Sequence, residues 1–141
     1  MLKNHITDVL DKAYEQHENC IIQGLSGFGK TASCKQWLED HPEINGIWLD
    51  GAQLRTSDVM TFGKIYERND LVLVGQKFSD DLIDRMCKPN TVIIVDDYHL
   101  LDDNAKMHVL LLCDGYAIDE RCEDGFRVLP DKRMHCMIKT T

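Results

Sequence analysis

A glycine-rich segment between a short apolar run and a helix-compatible run most constrains how this chain folds. Residues 24–31 fit the pattern G-x-x-x-x-G-K-[ST] at each defined position. Residues 20–23 before it predict a strand, and residues 31–39 after it predict a helix. In such a loop the backbone N–H groups point inward, and the helix N-terminus adds partial positive charge. The pattern therefore predicts a site for the phosphates of a nucleoside triphosphate, whereas a glycine-rich turn without a ligand is the less favoured alternative.

The individual positions of this loop have distinct expected roles. Lys30 is expected to reach the β- and γ-phosphates, and the Thr31 hydroxyl is expected to ligate Mg²⁺. The predicted nucleotide-binding residues are Gly24, Leu25, Ser26, Gly27, Phe28, Gly29, Lys30, Thr31 and Ala32.

A second motif, downstream, places two carboxylates directly after an apolar run. Residues 91–95 are β-branched, which is typical of a strand buried on both faces of a parallel sheet. Asp96 and Asp97 follow, at the end of the strand where ligands bind in open α/β sheets. We expect Asp96 to hold Mg²⁺ through its water shell and Asp97 to polarise an attacking water. Two acidic residues in a solvated loop are the alternative interpretation.

Composition excludes several classes of function. The net charge of −8 argues against unspecific wrapping of nucleic acid by the whole surface. No apolar run approaches the length of a membrane span, so we expect no membrane partner. None of the six cysteines shows C-x-x-C spacing, which favours reduced thiols in a cytoplasmic protein over a zinc framework.

The rest of the chain alternates predicted strands and helices. In chain order we predict helix 2–17, strand 20–23, helix 31–39, strand 46–50, a helix from about Val59, helix 80–86, strand 91–95, helix 104–113 and strand 134–139. Residues 63–75 are consistent with either a small hairpin or a helix end followed by a loop, and residues 116–129 predict a second hairpin. This alternation predicts a single domain, 1–141, with a parallel sheet and right-handed crossovers.

Together these residues resemble the AAA+ ATPases. Residues 24–31 correspond to Walker A, residues 92–97 to Walker B, and the strand ending at Thr140 and Thr141 to the sensor 1 strand. Residues 110–141 are similar to the MoxR-like branch of the family. The resemblance implies an α/β fold of the P-loop NTPase type, a three-layer αβα sandwich with a mostly parallel sheet. It also implies ATP and Mg²⁺ as ligands, a homo-oligomeric ring such as a hexamer, and a macromolecular substrate that is either protein or nucleic acid.

Several positions depart from the family pattern. The family usually has Glu where this chain has Asp97, and a carboxylate one methylene shorter is expected to slow hydrolysis. Thr140 and Thr141 are only candidate substitutes for the sensor 1 residue. The resemblance places the last core strand, the helical lid and the arginine finger beyond Thr141. We therefore expect this chain to correspond to the front part of the ATPase core, with weak nucleotide binding and little hydrolysis.

Three arginines near the second predicted hairpin are candidates for an arginine finger. Arg121, Arg127 and Arg133 are expected to be solvated charges or substrate contacts instead. Two other functions stay open, a slow nucleotide-dependent switch or assembly platform and a small-molecule P-loop kinase.

Overall fold

The computed structural model describes residues 5–24, 29–54, 60–68, 71–130 and 135–140. The helices within these ranges are α1 (His5–Gln16), α2 (Lys30–Glu39), α3 (Asp80–Met86) and α4 (Asp103–Cys113), with a 3₁₀ turn at Tyr98–Leu100. The strands are β1 (Cys20–Gly24), β2 (Asn45–Asp50), β3 (Met60–Arg68), β4 (Leu71–Phe78), β5 (Thr91–Asp96), β6 (Tyr116–Ile118), β7 (Phe126–Val128) and β8 (His135–Thr140). None of the described helices is both long enough and apolar enough to cross a membrane.

Four of the strands form a parallel sheet in the order β1-β8-β5-β2. The last strand in the sequence is thus inserted between the strand that precedes the glycine loop and the strand that carries the acidic pair. The remaining strands form two antiparallel pairs, β3 with β4 and β6 with β7. The predicted α/β class and the parallel sheet are therefore confirmed.

Alternate residues of β5 pack against helices on opposite sides of the sheet. Val92 and Ile94 join a cluster that includes Leu10 of α1 and Trp37 of α2. Ile93 and Val95 join a second cluster, which contains the buried apolar residues of α3 and α4. Every residue of β5 is buried, because a parallel strand inside the sheet is covered on both faces. The continuous apolar run in the sequence therefore corresponds to the centre of the fold.

The first hairpin corrects one prediction. A helix from about Val59 was wrong, because the chain is in strand β3 from Met60 onward; residues 55–59 lie outside the described ranges. Pairing with β4 runs from Met60 opposite Phe78 to Arg68 opposite Leu71, so the hairpin alternative for residues 63–75 is the right one. The capping signal of Ser57 and Asp58 was local, whereas the strand is held by cross-strand hydrogen bonds and by burial of Phe78.

The predicted helix boundaries are close to those observed. The Ser79 hydroxyl accepts the backbone N–H of Leu82 at 3.2 Å and caps α3. Of the two candidate caps for α4, the structure selects Asp102, whose carboxylate accepts the N–H of Ala105 at 2.8 Å. The second hairpin is also confirmed, as β6 and β7.

Candidate functional site

The four sheet strands end at the same edge, and their last residues include Gly24, Asp96 and Thr140 of the predicted site. In the parallel register Gly24 lies opposite Thr140, and Asp50 lies opposite Asp96. Helix α2 begins at Lys30, shortly after β1 ends. Carboxyl ends of parallel strands lie at one edge, which is where open α/β sheets bind ligands. Residues 25–28 and Thr141, which were predicted to contribute, lie outside the described residues.

The start of α2 brings the predicted lysine back toward the end of β1. Gly29 has φ +74°, a left-handed conformation that favours glycine, and it immediately precedes the helix. Lys30 is buried, and its Nζ lies 3.5 Å from where a Cβ on Gly24 would stand. The side chain therefore folds over the beginning of the glycine loop, while Ala32 on the next part of the helix is exposed.

Thr31 and Asp96 are distant in the sequence but adjacent in the fold. The Thr31 hydroxyl donates to the Asp96 carboxylate, with Oγ1 at 3.2 Å from Oδ1 and 3.3 Å from Oδ2. This contact joins the first turn of α2 to the end of β5. The structure thus brings together the two residues predicted to take part in Mg²⁺ binding.

The Asp96 carboxyl has unusual electrostatics. Burial raises its pKa above the ordinary value, and the negative charge of Asp97 acts in the same direction. Hydrogen bonds from the Thr31 hydroxyl and the Asp97 backbone lower the pKa in part, whereas the charge of Asp50 raises it. A divalent cation beside Asp96 would offset both the burial and the repulsion, so the carboxylate is suited to a site that holds one.

Asp97 lies at a sharp bend after β5. Its backbone is left-handed, with φ 52° and ψ 45°, a conformation that Asp tolerates better than most residues. Its N–H donates to Asp96 Oδ1 at 2.9 Å, and its carbonyl accepts the N–H of Leu100 at 2.9 Å. These two hydrogen bonds hold the bend between the sheet and the 3₁₀ turn.

The donor set at this edge fits Mg²⁺ bound together with a polyphosphate. A hydroxyl and a carboxylate are hard oxygen donors, and the ammonium of Lys30 is the complement of a phosphate. Among the described residues, no group of three or more His, Cys, Asp or Glu side chains is arranged to hold a metal by itself. Mg²⁺ is usually held by one or two protein oxygens plus waters and substrate phosphates.

Sequence reasoning missed the environment of two arginines. Arg121 Nε lies 3.0 Å from Asp119 Oδ1, and Arg127 Nη2 lies 3.0 Å from Asp119 Oδ2. Arg121 also contacts Asp84 of α3 at 2.9 Å. Both guanidiniums are therefore engaged in ion pairs within the domain. The signal that could have been used is Asp119 directly after β6, two residues before Arg121 and eight before Arg127; Arg133 lies outside the described residues.

A groove of about 260 Å³ lies between the two hairpins, away from the sheet edge. Glu120 Oε2 accepts the backbone N–H of Lys64 at 3.1 Å and links β3 to the β6–β7 turn. The residues lining the groove include Lys64, Ile65, Glu120, Glu123, Asp124 and Phe126. Three of the eight lining residues are carboxylates and one, Lys64, is a cation, so the lining carries a net negative charge.

Comparison with known proteins gives no independent assignment. No protein-family model matches the chain, and no curated protein matches it significantly.

Proposed function

We propose that this protein is a Mg²⁺-dependent module that binds and hydrolyses ATP, with a P-loop NTPase fold resembling the AAA+ ATPases. The observation that carries the proposal is the hydrogen bond between the Thr31 hydroxyl and the Asp96 carboxylate. It places the predicted metal ligands side by side, next to the helix N-terminus that begins at Lys30. A glycine-rich turn without a ligand would not require this pairing between the first turn of a helix and the end of a distant strand.

The fold supports the same proposal. Helices cover both faces of the parallel sheet, as in a three-layer αβα sandwich. The strand before the glycine loop and the strand that ends at Asp96 are separated by β8, so the two motifs lie on either side of the carboxyl end of β8. A phosphate chain across the end of β8 would contact both motifs.

Each residue has a role derived from its chemistry. Lys30 and the loop amides would bind the phosphates, and Thr31 and Asp96 would hold the metal, Asp96 through water. Bound Mg²⁺ would supply charge neutralisation for the phosphates. Asp97 would orient the attacking water, but its carboxylate is one methylene shorter than Glu, so we propose slow turnover.

The proposed assembly follows from the resemblance to the AAA+ ATPases, and the proposed class of substrate follows from the charge of the groove between the hairpins. We propose a homo-oligomeric ring that remodels a macromolecule in the cytoplasm; Cys34, Cys87, Cys113 and Cys122 are free thiols, which suits that compartment. The groove between the hairpins carries Glu120, Glu123 and Asp124. Because these carboxylates would repel a phosphate backbone, we favour a protein client over a nucleic acid.

A slow nucleotide-dependent switch is the second candidate. The observation that favours it is Asp97, which combines a short side chain with a left-handed backbone. A water-activating group set back from the phosphates would prolong the ATP-bound state, which is what a switch requires.

Calorimetry with ATP and Mg²⁺ tests the proposed site. We expect the parent to bind, and Lys30→Ala to weaken binding by at least tenfold, because the replacement removes a buried cation beside the phosphates. Lys35→Ala is the matched control, since Lys35 lies on the same helix but is exposed, with its Nζ 5.3 Å from the centre of the Trp48 ring. The proposal is wrong if the parent shows no binding at millimolar ATP, or if Lys30→Ala binds as tightly as the parent.

A further inference from the structure

Gly51 makes an unusually close backbone contact with the acidic pair. It directly follows β2, and its N–H donates to the Asp96 carbonyl at 2.8 Å. A Cβ at this position would collide with the Asp97 carbonyl oxygen and would lie 2.8 Å from the Asp96 carbonyl oxygen. Real Cβ atoms do not approach backbone atoms so closely, so any side chain here would force a shift.

Glycine is required at position 51 because there is no room for a side chain, and not because of its backbone conformation. The φ angle of Gly51 is outside the left-handed range that favours glycine, in contrast to Gly29, Gly115 and Gly125. The obstructing atoms belong to the backbone of Asp96 and Asp97, which cannot rotate away as the end of a side chain could. Relief would therefore require movement of the bend itself or of the end of β2.

The contact between Gly51 and the acidic pair lies just beyond the last paired residues of β2 and β5. The register of β2 with β5 ends at the pair Asp50 and Asp96. The amide of Gly51 adds one more hydrogen bond to Asp96, and its bare Cα supports the peptide of Asp97 from the β2 side. The N–H of Leu100 also donates to the Asp97 carbonyl, at 2.9 Å. The peptide that follows the left-handed Asp97 is thus contacted by two separate segments, the end of β2 and the 3₁₀ turn.

We propose that Gly51 is a positioning residue, whose missing side chain sets where the Asp97 carboxylate stands relative to the Thr31–Asp96 pair. This inference rests on the proposed function, because it assigns Gly51 to the step in which Asp97 orients water. Misplacement of a reacting group by about 1 Å costs on the order of a hundredfold in rate. Phosphate binding is expected to depend on Lys30 and the loop amides, whereas the close contacts of Gly51 are with the backbone of Asp96 and Asp97, so affinity is expected to change little.

The test compares Gly51→Ala with the parent and with Gly46→Ala. Gly46 lies in β2, the strand that Gly51 follows, and the atoms nearest to a Cβ there belong to the flexible side chain of Leu38, from 3.0 Å. Under single-turnover conditions with radiolabelled ATP, we expect Gly51→Ala to lower the hydrolysis rate by about 10- to 100-fold. Its ATP dissociation constant should stay within about threefold of the parent value, and Gly46→Ala should change neither quantity.

A double-mutant cycle separates positioning from general damage. In an Asp97→Ala background, Gly51→Ala should slow hydrolysis by less than about twofold, because the group that it positions is already gone. Rate losses that multiply in the double variant would overturn the inference. So would equal hydrolysis rates for Gly51→Ala and the parent.

Two measurements made without nucleotide test the inference independently of ATP hydrolysis. Amide NMR shifts in Gly51→Ala should change chiefly at residues 96–98, and changes spread evenly over the sheet would overturn the inference. If Gly51→Ala does not fold, hydrogen exchange in the parent tests the inference instead. The Gly51 amide should be protected from exchange. Exchange as fast as that of an exposed loop would overturn the inference. Failure of the parent to bind ATP would instead refute the proposed function, so the two failures are distinguishable.

Discussion

Replacing Asp119 with Asn should destabilise the protein by removing a fully buried carboxylate from an ion-pair cluster. Its side chain has no solvent exposure, and both of its oxygens accept hydrogen bonds from guanidinium groups at 3.0–3.1 Å. The backbone N–H of Arg121 adds a further hydrogen bond at 3.0 Å. Since Arg121 also contacts Asp84 of α3, the cluster ties the second hairpin to the body of the domain.

The magnitude of this effect can be estimated from the pKa of Asp119. Burial acts to raise the pKa, but hydrogen bonds from Arg121 and Arg127 outweigh it and lower the pKa from 3.8 to about 2. One pKa unit corresponds to about 1.4 kcal/mol, so the charged form stabilises the fold by about 2 kcal/mol. This is below the roughly 3–5 kcal/mol typical of breaking a fully buried ion pair, because the two arginines are more than one-third exposed.

The sign of the pH dependence follows from the lowered pKa. At neutral pH the carboxylate is ionised in both states, and its full stabilisation is present. As the pH falls below 3.8, the unfolded chain takes up a proton that the folded chain binds only near pH 2. The contribution of Asp119 therefore declines across this window and is about halved at pH 3.

Urea unfolding of the parent and of Asp119→Asn at pH 7 and pH 3 measures both the loss of stability and its dependence on pH. We expect a loss of about 2 kcal/mol in the free energy of unfolding at pH 7 and about half that loss at pH 3. Glu15→Gln is the control, because Glu15 is exposed on α1, and it should change stability by less than about 0.5 kcal/mol. A loss below about 0.5 kcal/mol at pH 7, or an equal loss at both pH values, would refute the reasoning.

Two other substitutions test separate parts of the structure. His108 is buried with Nε2 2.9 Å from the Gln76 carbonyl oxygen, and burial lowers its pKa. Below pH ~6.5 the unfolded chain therefore binds a proton that the folded chain does not. Urea unfolding should show that the parent loses stability relative to His108→Gln between pH ~7 and ~5. Parallel profiles of unfolding free energy against pH for the two proteins would contradict this. If the short carboxylate of Asp97 limits the rate, replacing Asp97 with Glu should raise the single-turnover rate of ATP hydrolysis by about tenfold or more. Such a gain would support the slow-switch function of the natural chain. An unchanged rate would show that the length of the side chain does not limit hydrolysis.

The local signals in the sequence predicted much of the fold. Strand β5, the capped starts of α3 and α4 and the second hairpin were found from apolar runs, capping residues and turn residues, whereas the first hairpin was one of two open alternatives. The helix expected from about Val59 was wrong, because Ser57 and Asp58 form a capping pattern that the pairing of β3 with β4 overrides. Cross-strand pairing depends on residues that lie many positions apart, so a local pattern cannot report it.

For the candidate site, sequence alone determined which residue types are present: a glycine loop ending in Lys30 and Thr31, and two carboxylates after an apolar strand. The tertiary structure decided their arrangement, because only the strand order brings Thr31 to 3.2 Å from Asp96 and sets Gly51 against the backbone of Asp97. Loop and strand motifs arise from the conformational preferences of neighbouring residues. Contacts between strands depend instead on which distant segments the core brings together, and this depends on the packing of the whole chain.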